Sequence, residues 1–286
     1  MKKFLRIDLE RILHSKRLYI SLGIGTLIVL LHFRFVTDPF MRWSEWLTAL
    51  MATPDMAKYQ IIGSMYPIPW YSQWIGGECS SLPSTAFFML IPVLAVLPYG
   101  DSITNDHVSG YVKNVFFREN RKKYYQSKLL CSFLVGGITV CIPLLIDIYL
   151  CTMVRSSIPL MPEASNTWII FGQMFSKLYY THSCLYVMVY LCIIFVYSGL
   201  FSALGTGLGI FSTNRFIPLI FPFVVFMFEG TVAGALQYPQ WAIENFLIPA
   251  QRVMGITFPI VLIEAVILLL VCVGMYVYGA NHDETL

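Results

Sequence analysis

The sequence predicts an all-α membrane protein with six transmembrane helices, and three observations carry that prediction. Of its 286 residues, 57% are hydrophobic and only 12% charged, where soluble domains carry about 25% charged residues. Apolar runs of about 18 or more residues recur along the chain, and a hydrocarbon core about 30 Å thick takes about 20 helical residues to cross. The runs are continuous rather than alternating, which argues against a β-barrel.

The spans fall at about 18–36, 86–104, 129–153, 180–211, 216–236 and 256–279. The second is short and carries Pro92 and Pro98, so a kinked helix is expected there. The fourth and fifth form a tight hairpin around residues 212–215. Before the first span, "MKKFLRIDLERILHSKR" (residues 1–17) does not look like a cleavable signal, since the following run is too long and no A-x-A site closes it. Leu5, Leu9, Ile12 and Leu13 make one stripe, with Lys2, Lys3, Arg6, Glu10 and Arg17 elsewhere. That pattern predicts an interfacial amphipathic helix, with plain cytoplasmic anchoring as the alternative.

Orientation follows from the basic residues. Of nineteen Lys and Arg, six precede the first span, six lie between Thr104 and Lys128, and Arg215 joins spans four and five. The other six are spread over longer connections, so the N-terminus is expected inside and, after six spans, the C-terminus too. The 37–85 segment is then extracellular. Its Trp43, Trp46, Trp70, Trp74, Tyr59, Tyr66 and Tyr71 fit either a cap against the outer leaflet or a small folded loop with its own core. The 237–255 connection is expected to dip into the outer leaflet and return. One transmembrane domain, residues 1–286, accounts for the whole.

The seven cysteines contain no C-x-x-C pair. Cys131, Cys141 and Cys151 follow at ten-residue steps, about 15 Å apart along a helix, so they cannot share a metal and read as packing residues. No basic groove-reading pattern points to nucleic acid.

The 105–128 segment interrupts this apolar chain. Val108, Tyr111, Val112, Val115 and Phe116 recur as one face of a helix, with Asn105 or Asp106 able to cap its start. Arg118, Arg121, Lys122, Lys123 and Lys128 follow. Such a face has three possible partners: lipid, its own bundle or another protein.

The layout as a whole resembles the permease subunit of an ABC-2 type ATP-binding-cassette exporter. The run "DSITNDHVSGYVKNVFFRENRKKYYQSKLL" is similar to the family's pattern, in which an acid and a glycine lead into a helix, a basic residue follows, and a lysine opens the third span. Asp106, Gly110, Arg121 and Lys128 occupy those places. The 37–85 segment is longer than in the simplest members. The resemblance implies a cytoplasmic coupling helix between spans two and three, docking through Val108, Tyr111, Val112, Val115, Phe116, Arg118 and Arg121 into an ATPase subunit. It further implies two ATPase copies holding ATP and Mg, a second permease subunit as homodimer or heterodimer, and a bacterial-type plasma membrane.

No lysine here precedes Ser or Thr, so the phosphate-cradling G-x-x-x-x-G-K-[ST] loop is absent and ATP hydrolysis would belong to another polypeptide. This chain is expected to be no enzyme and to need no cofactor of its own. Gly199, Ala203, Gly205 and Gly209 make small-residue steps for close helix packing. Glu264, Asp147 and Glu229 fall in apolar runs, where an acid is costly; they are translocation-path candidates or pins between helices. The aromatic caps fit amphipathic or hydrophobic cargo: a peptide, a drug or a lipid-like molecule. Proton-coupled secondary transport and an intramembrane enzyme are the alternatives.

Overall fold

A computed structural model describes residues 2–51, 69–117, 120–158 and 168–282, without the side chains of 2, 3, 39–51 and 282. Twelve α-helices follow in order among them: α1 (Lys2–Leu13), α2 (Lys16–Met51), α3 (Trp70–Gln73), α4 (Leu82–Val96), α5 (Ser102–Val108), α6 (Tyr111–Phe116), α7 (Arg121–Val154), α8 (Ser176–Thr181), α9 (Ser183–Leu208), α10 (Phe216–Ala235), α11 (Ile243–Leu247) and α12 (Phe258–His282). Five of them, α2, α7, α9, α10 and α12, are long and apolar enough to cross a membrane. The chain is a multi-pass helical membrane protein.

The predicted second span differs from the others. Residues 86–104 do not form one helix; α4 starts earlier, at Leu82, and ends at Val96. Fifteen residues rise only about 22 Å, short of a 30 Å core. Its start is defined by Ser81, whose hydroxyl accepts from Ser84 N at 3.3 Å, with Pro83 in the first turn. Pro92 sits inside it. Pro98 lies beyond its end, in the turn that leads to α5.

The end of the first span moves outward. Helix α2 continues past residue 36 to Met51, so the segment expected outside the membrane from residue 37 begins as helix. Its 36 residues rise about 54 Å, well beyond one hydrocarbon thickness. Trp43, Trp46, Tyr59 and Tyr66 lie outside the side chains described. Trp70, Tyr71 and Trp74 are buried in the main core with Phe87, Tyr179, Tyr186 and Phe246, so this part of the segment packs into the bundle. The 237–255 connection does the same: Ile243, Phe246, Leu247 and Ile248 belong to that core.

The α1 stripe is also used internally. Ile12 is buried with Tyr99, Cys131 and Val135, and Leu5 and Leu9 pack against them, while Leu13 is exposed. The helix expected to rest on lipid leans on its own bundle.

The tightest packing joins α7 to α9. A Cβ on Gly136 would lie 2.3 Å from Ser202 Cβ and 2.9 Å from the Ser198 carbonyl oxygen. A Cβ on Gly199 would lie 2.7 Å from the Phe133 ring, Gly205 approaches Val96 and the Pro218 carbonyl, and Gly209 approaches Thr104. Ala203 is buried beside Cys272. These small residues therefore pack within this chain, as close helix approach in lipid requires. Gly136→Val should cost about 1–3 kcal/mol by overpacking and lower the melting temperature in detergent. Gly23→Ala, where nothing lies within 4 Å, should leave it unchanged or raise it; equal losses in both variants would contradict this packing.

Candidate functional site

The 105–128 segment is built in three pieces. Its first helix, α5, begins at Ser102 rather than at the expected Asn105–Asp106 cap. Gly110, at φ 68°, turns the chain between α5 and α6, a left-handed conformation that glycine adopts without a Cβ penalty. Lys128 is the eighth residue of α7, continuous with a long apolar helix. The face predicted as one helical stripe is thus divided by Gly110, because periodicity does not register a backbone that must turn.

Most of that face is consumed by the chain itself. Val112 and Val115 are buried in a cluster with Ile103, Tyr124, Tyr125 and Tyr276, and Tyr111 and Phe116 pack against it. Phe116 meets the edge of Tyr124 at 5.8 Å between centroids, and the Arg121 guanidinium lies 5.0 Å from the Phe116 ring. Val108, by contrast, is 57% exposed, and Phe117 is 78% exposed. Arg118 lies outside the described residues. Of the residues expected to face a partner, Val112 and Val115 face inward instead; Val108 faces out, joined by Phe117, which the stripe did not include.

Beneath this platform lies a charged junction. The Lys128 side chain is 1% exposed. Its ammonium lies 3.2 Å from Asp8 of α1 and 2.7 Å from Asp106 of α5, and donates to the Tyr99 hydroxyl at 2.9 Å. An ammonium has three donors and no acceptor, and here each has an oxygen. Asp106 also accepts from Tyr124 at 2.8 Å and from Arg11 at 3.2 Å. Arg11 lies 4.4 Å from the centroid of the Tyr111 ring. Burial opposes its charge, but Asp106 first, then Tyr111 and Asp8, outweigh that, so its pKa sits above the ordinary value. Arg17 pairs with Asp101, which also accepts from Asn105 at 2.7 Å. A cleft of about 370 Å³ opens beside these groups between α1 and the α4–α5 turn.

Asp106 and Lys128, 22 residues apart in the motif, are therefore direct partners. Asp8, Arg11, Arg17, Tyr99, Asp101 and Tyr124 complete the junction and were not singled out from the sequence. A signal existed for one of them: Asp8 lies on the Leu5, Leu9 and Ile12 stripe, where an acid has no solvent reason to be.

The three candidate acids part company. Asp147, fully buried, accepts from Ile75 N at 2.6 Å and lies 3.0 Å from His32 Nδ1, while His32 Nε2 faces Glu78 at 3.9 Å. His32 is fully buried within this cluster. Asp147 and Lys128 are nineteen residues apart on α7, about 28 Å, close to the hydrocarbon thickness. Glu229 accepts from Ile243 N at 3.2 Å through both oxygens. It shares an open groove of about 480 Å³ with Glu264, Tyr238 and Trp241.

Removing one member of a buried ion pair costs about 3–5 kcal/mol, so Lys128→Met should lower stability in detergent by that order. Adding Asp8→Asn and Asp106→Asn should recover a substantial part of the loss. Equal stability of Lys128→Met and wild type in denaturant titration would show that the junction carries no such strain.

No protein-family model, curated protein or solved structure matches this chain.

Proposed function

We propose that this chain is the membrane-spanning subunit of an ATP-driven exporter of the ABC-2 type, energised by a separate ATPase. In this reading the chain crosses the membrane six times with both termini cytoplasmic. Helix α4 makes the short second crossing, in addition to the five long helices, from Ser81 beside Glu78 to Tyr99 beside Lys128. The basic end, with Arg6, Arg11, Arg17, Arg121, Lys122 and Lys123, faces inward as the positive-inside rule requires.

One observation carries the reading. The α5–α6 element is no tether; the buried Asp106–Lys128 pair and the Val112–Val115 cluster fasten it to α1, α7 and α12. Force applied to it must reach the bundle, because parting it from α7 would strand a buried charge. The docking patch is then Val108 and Phe117, both exposed, beside Lys113. Two exposed apolar side chains in a basic segment suit a contact with a groove in a partner. Two ATPase subunits carrying ATP and Mg, and a second permease subunit, homologous or identical, complete the assembly in a bacterial-type plasma membrane. The cargo is amphipathic or hydrophobic.

Co-purification with the ATPase from the native host tests this. Val108→Asp with Phe117→Asp should leave the protein inserted and lose at least about tenfold of the recovered ATPase, matching about 1.4 kcal/mol or more of contact energy. Undiminished recovery removes the docking role. Phe116→Asp should instead destabilise the protein itself, since that ring packs internally.

A second reading rests on the groove shared by Glu229 and Glu264: intramembrane acids serve proton relays, so a proton-coupled transporter would use them. Transport that persists without ATP and stops in Glu264→Gln would favour it; transport that stops on ATP depletion excludes it.

A further inference from the structure

A second groove, of about 340 Å³, runs between the first turns of α7 and the last turns of α12. Leu129, Val273 and Val277 form its walls and buried Tyr276 its floor; Lys122 and Gln126 stand at its mouth. From Lys122 to Leu129 the groove covers seven residues, about 10 Å, or two thirds of one leaflet's half of a 30 Å core. Lys122 is exposed, Lys123 beside it is exposed too, and no salt bridge holds either among the described residues.

In a membrane protein an apolar slot at this depth is filled by a hydrocarbon chain or by another helix. The charge at the mouth distinguishes the two. A two-fold contact with a second copy is self-complementary, so it would bring two Lys122–Lys123 pairs face to face, and like charges at an interface disfavour it. An anionic headgroup meets the same lysines with opposite charge, and basic pockets between helices bind such headgroups.

We infer that the α7–α12 groove is a binding site for an anionic phospholipid, with one acyl chain along Val273 and Val277 and its phosphate at the Lys122 ammonium. Tyr276 links the site to the platform: it belongs to the cluster that seats Val112 and Val115. A bound lipid therefore braces α6 from behind. This inference rests on the chain being a membrane protein and not on the identity of any ATPase.

Native mass spectrometry of the full chain in neutral detergent, titrated with phosphatidylglycerol or phosphatidylcholine of identical acyl chains, tests it. Wild type should hold phosphatidylglycerol about fivefold more tightly, the effect of one lysine near a headgroup, and the preference should shrink as salt rises. Lys122→Glu should abolish the preference without threatening the fold, since the side chain is exposed. Val277→Trp, which fills the slot, should weaken both lipids. Equal affinity for the two lipids in wild type, or an intact preference in Lys122→Glu, overturns the proposal. So does a Val277→Trp variant that changes oligomeric state while lipid binding is retained, because the groove would then be an interface between copies.

Discussion

A single ammonium buried at one end of the bundle constrains much of what surrounds it. In a low-dielectric interior an unpaired charge is far more costly than any one packing contact. Lys128 is held there because oxygens arrive from three separate elements: Asp8 on α1, Asp106 on α5 and Tyr99 after α4. Those elements have to stay where they are. The same carboxylate, Asp106, is shared with Tyr124 and Arg11, so the pieces around α7 form one network rather than a set of separate contacts. Networks of this kind are strong when complete and weak when any member is lost.

At the other end of α7, Asp147 does the same work for irregular backbone. It binds Ile75 N and neighbours His32, tying α2 to the 69–81 stretch. Non-helical backbone at membrane depth survives only when its polar groups are satisfied within protein. Buried tyrosines bond main-chain oxygens both in the irregular connection and in helices: Tyr186 donates to the Pro249 carbonyl at 2.8 Å, Tyr197 to Val261 of α12 at 2.6 Å and Tyr276 to Ala203 of α9 at 3.1 Å. Each ring fills core volume while its hydroxyl satisfies a main-chain oxygen. Gln251 works in both directions, donating to Tyr190 and accepting from Met174 N. Tyr186 and Tyr190 in this way bond the core to the 237–255 connection, through Pro249 and Gln251.

Between the two polar ends, the middle of the bundle is held by shape. Gly136 against Ser202 and Gly25 against Pro143 bring α9 and α2 close to α7, and Ser21 donates to the Leu94 carbonyl at 2.7 Å to join α2 to α4. Lipid offers no hydrophobic drive for helix association, so close packing and such hydrogen bonds supply it. The result is a bundle rigid around α7, with α10 and α12 presenting much of their surface outward. The two open grooves described above both border α12, the helix least enclosed by the rest.

Composition and run length by themselves determined that the chain is helical and membrane-embedded, because the cost of exposing backbone and charge to hydrocarbon leaves a sequence few options. They also located the charged interruption around Asp106 and Lys128. Periodicity identified the apolar face over Tyr111–Phe116 but wrongly extended it to Val108 and did not show what covers it, since a stripe specifies a buried side without naming its partner. Only the tertiary structure decided that Val112 and Val115 close on Tyr124 and Tyr276, that Asp106 meets Lys128, and that Asp147 meets His32 from 115 residues away. Such pairings depend on which helices are neighbours, and that arrangement is set by the packing of all the spans together rather than by any local stretch of chain.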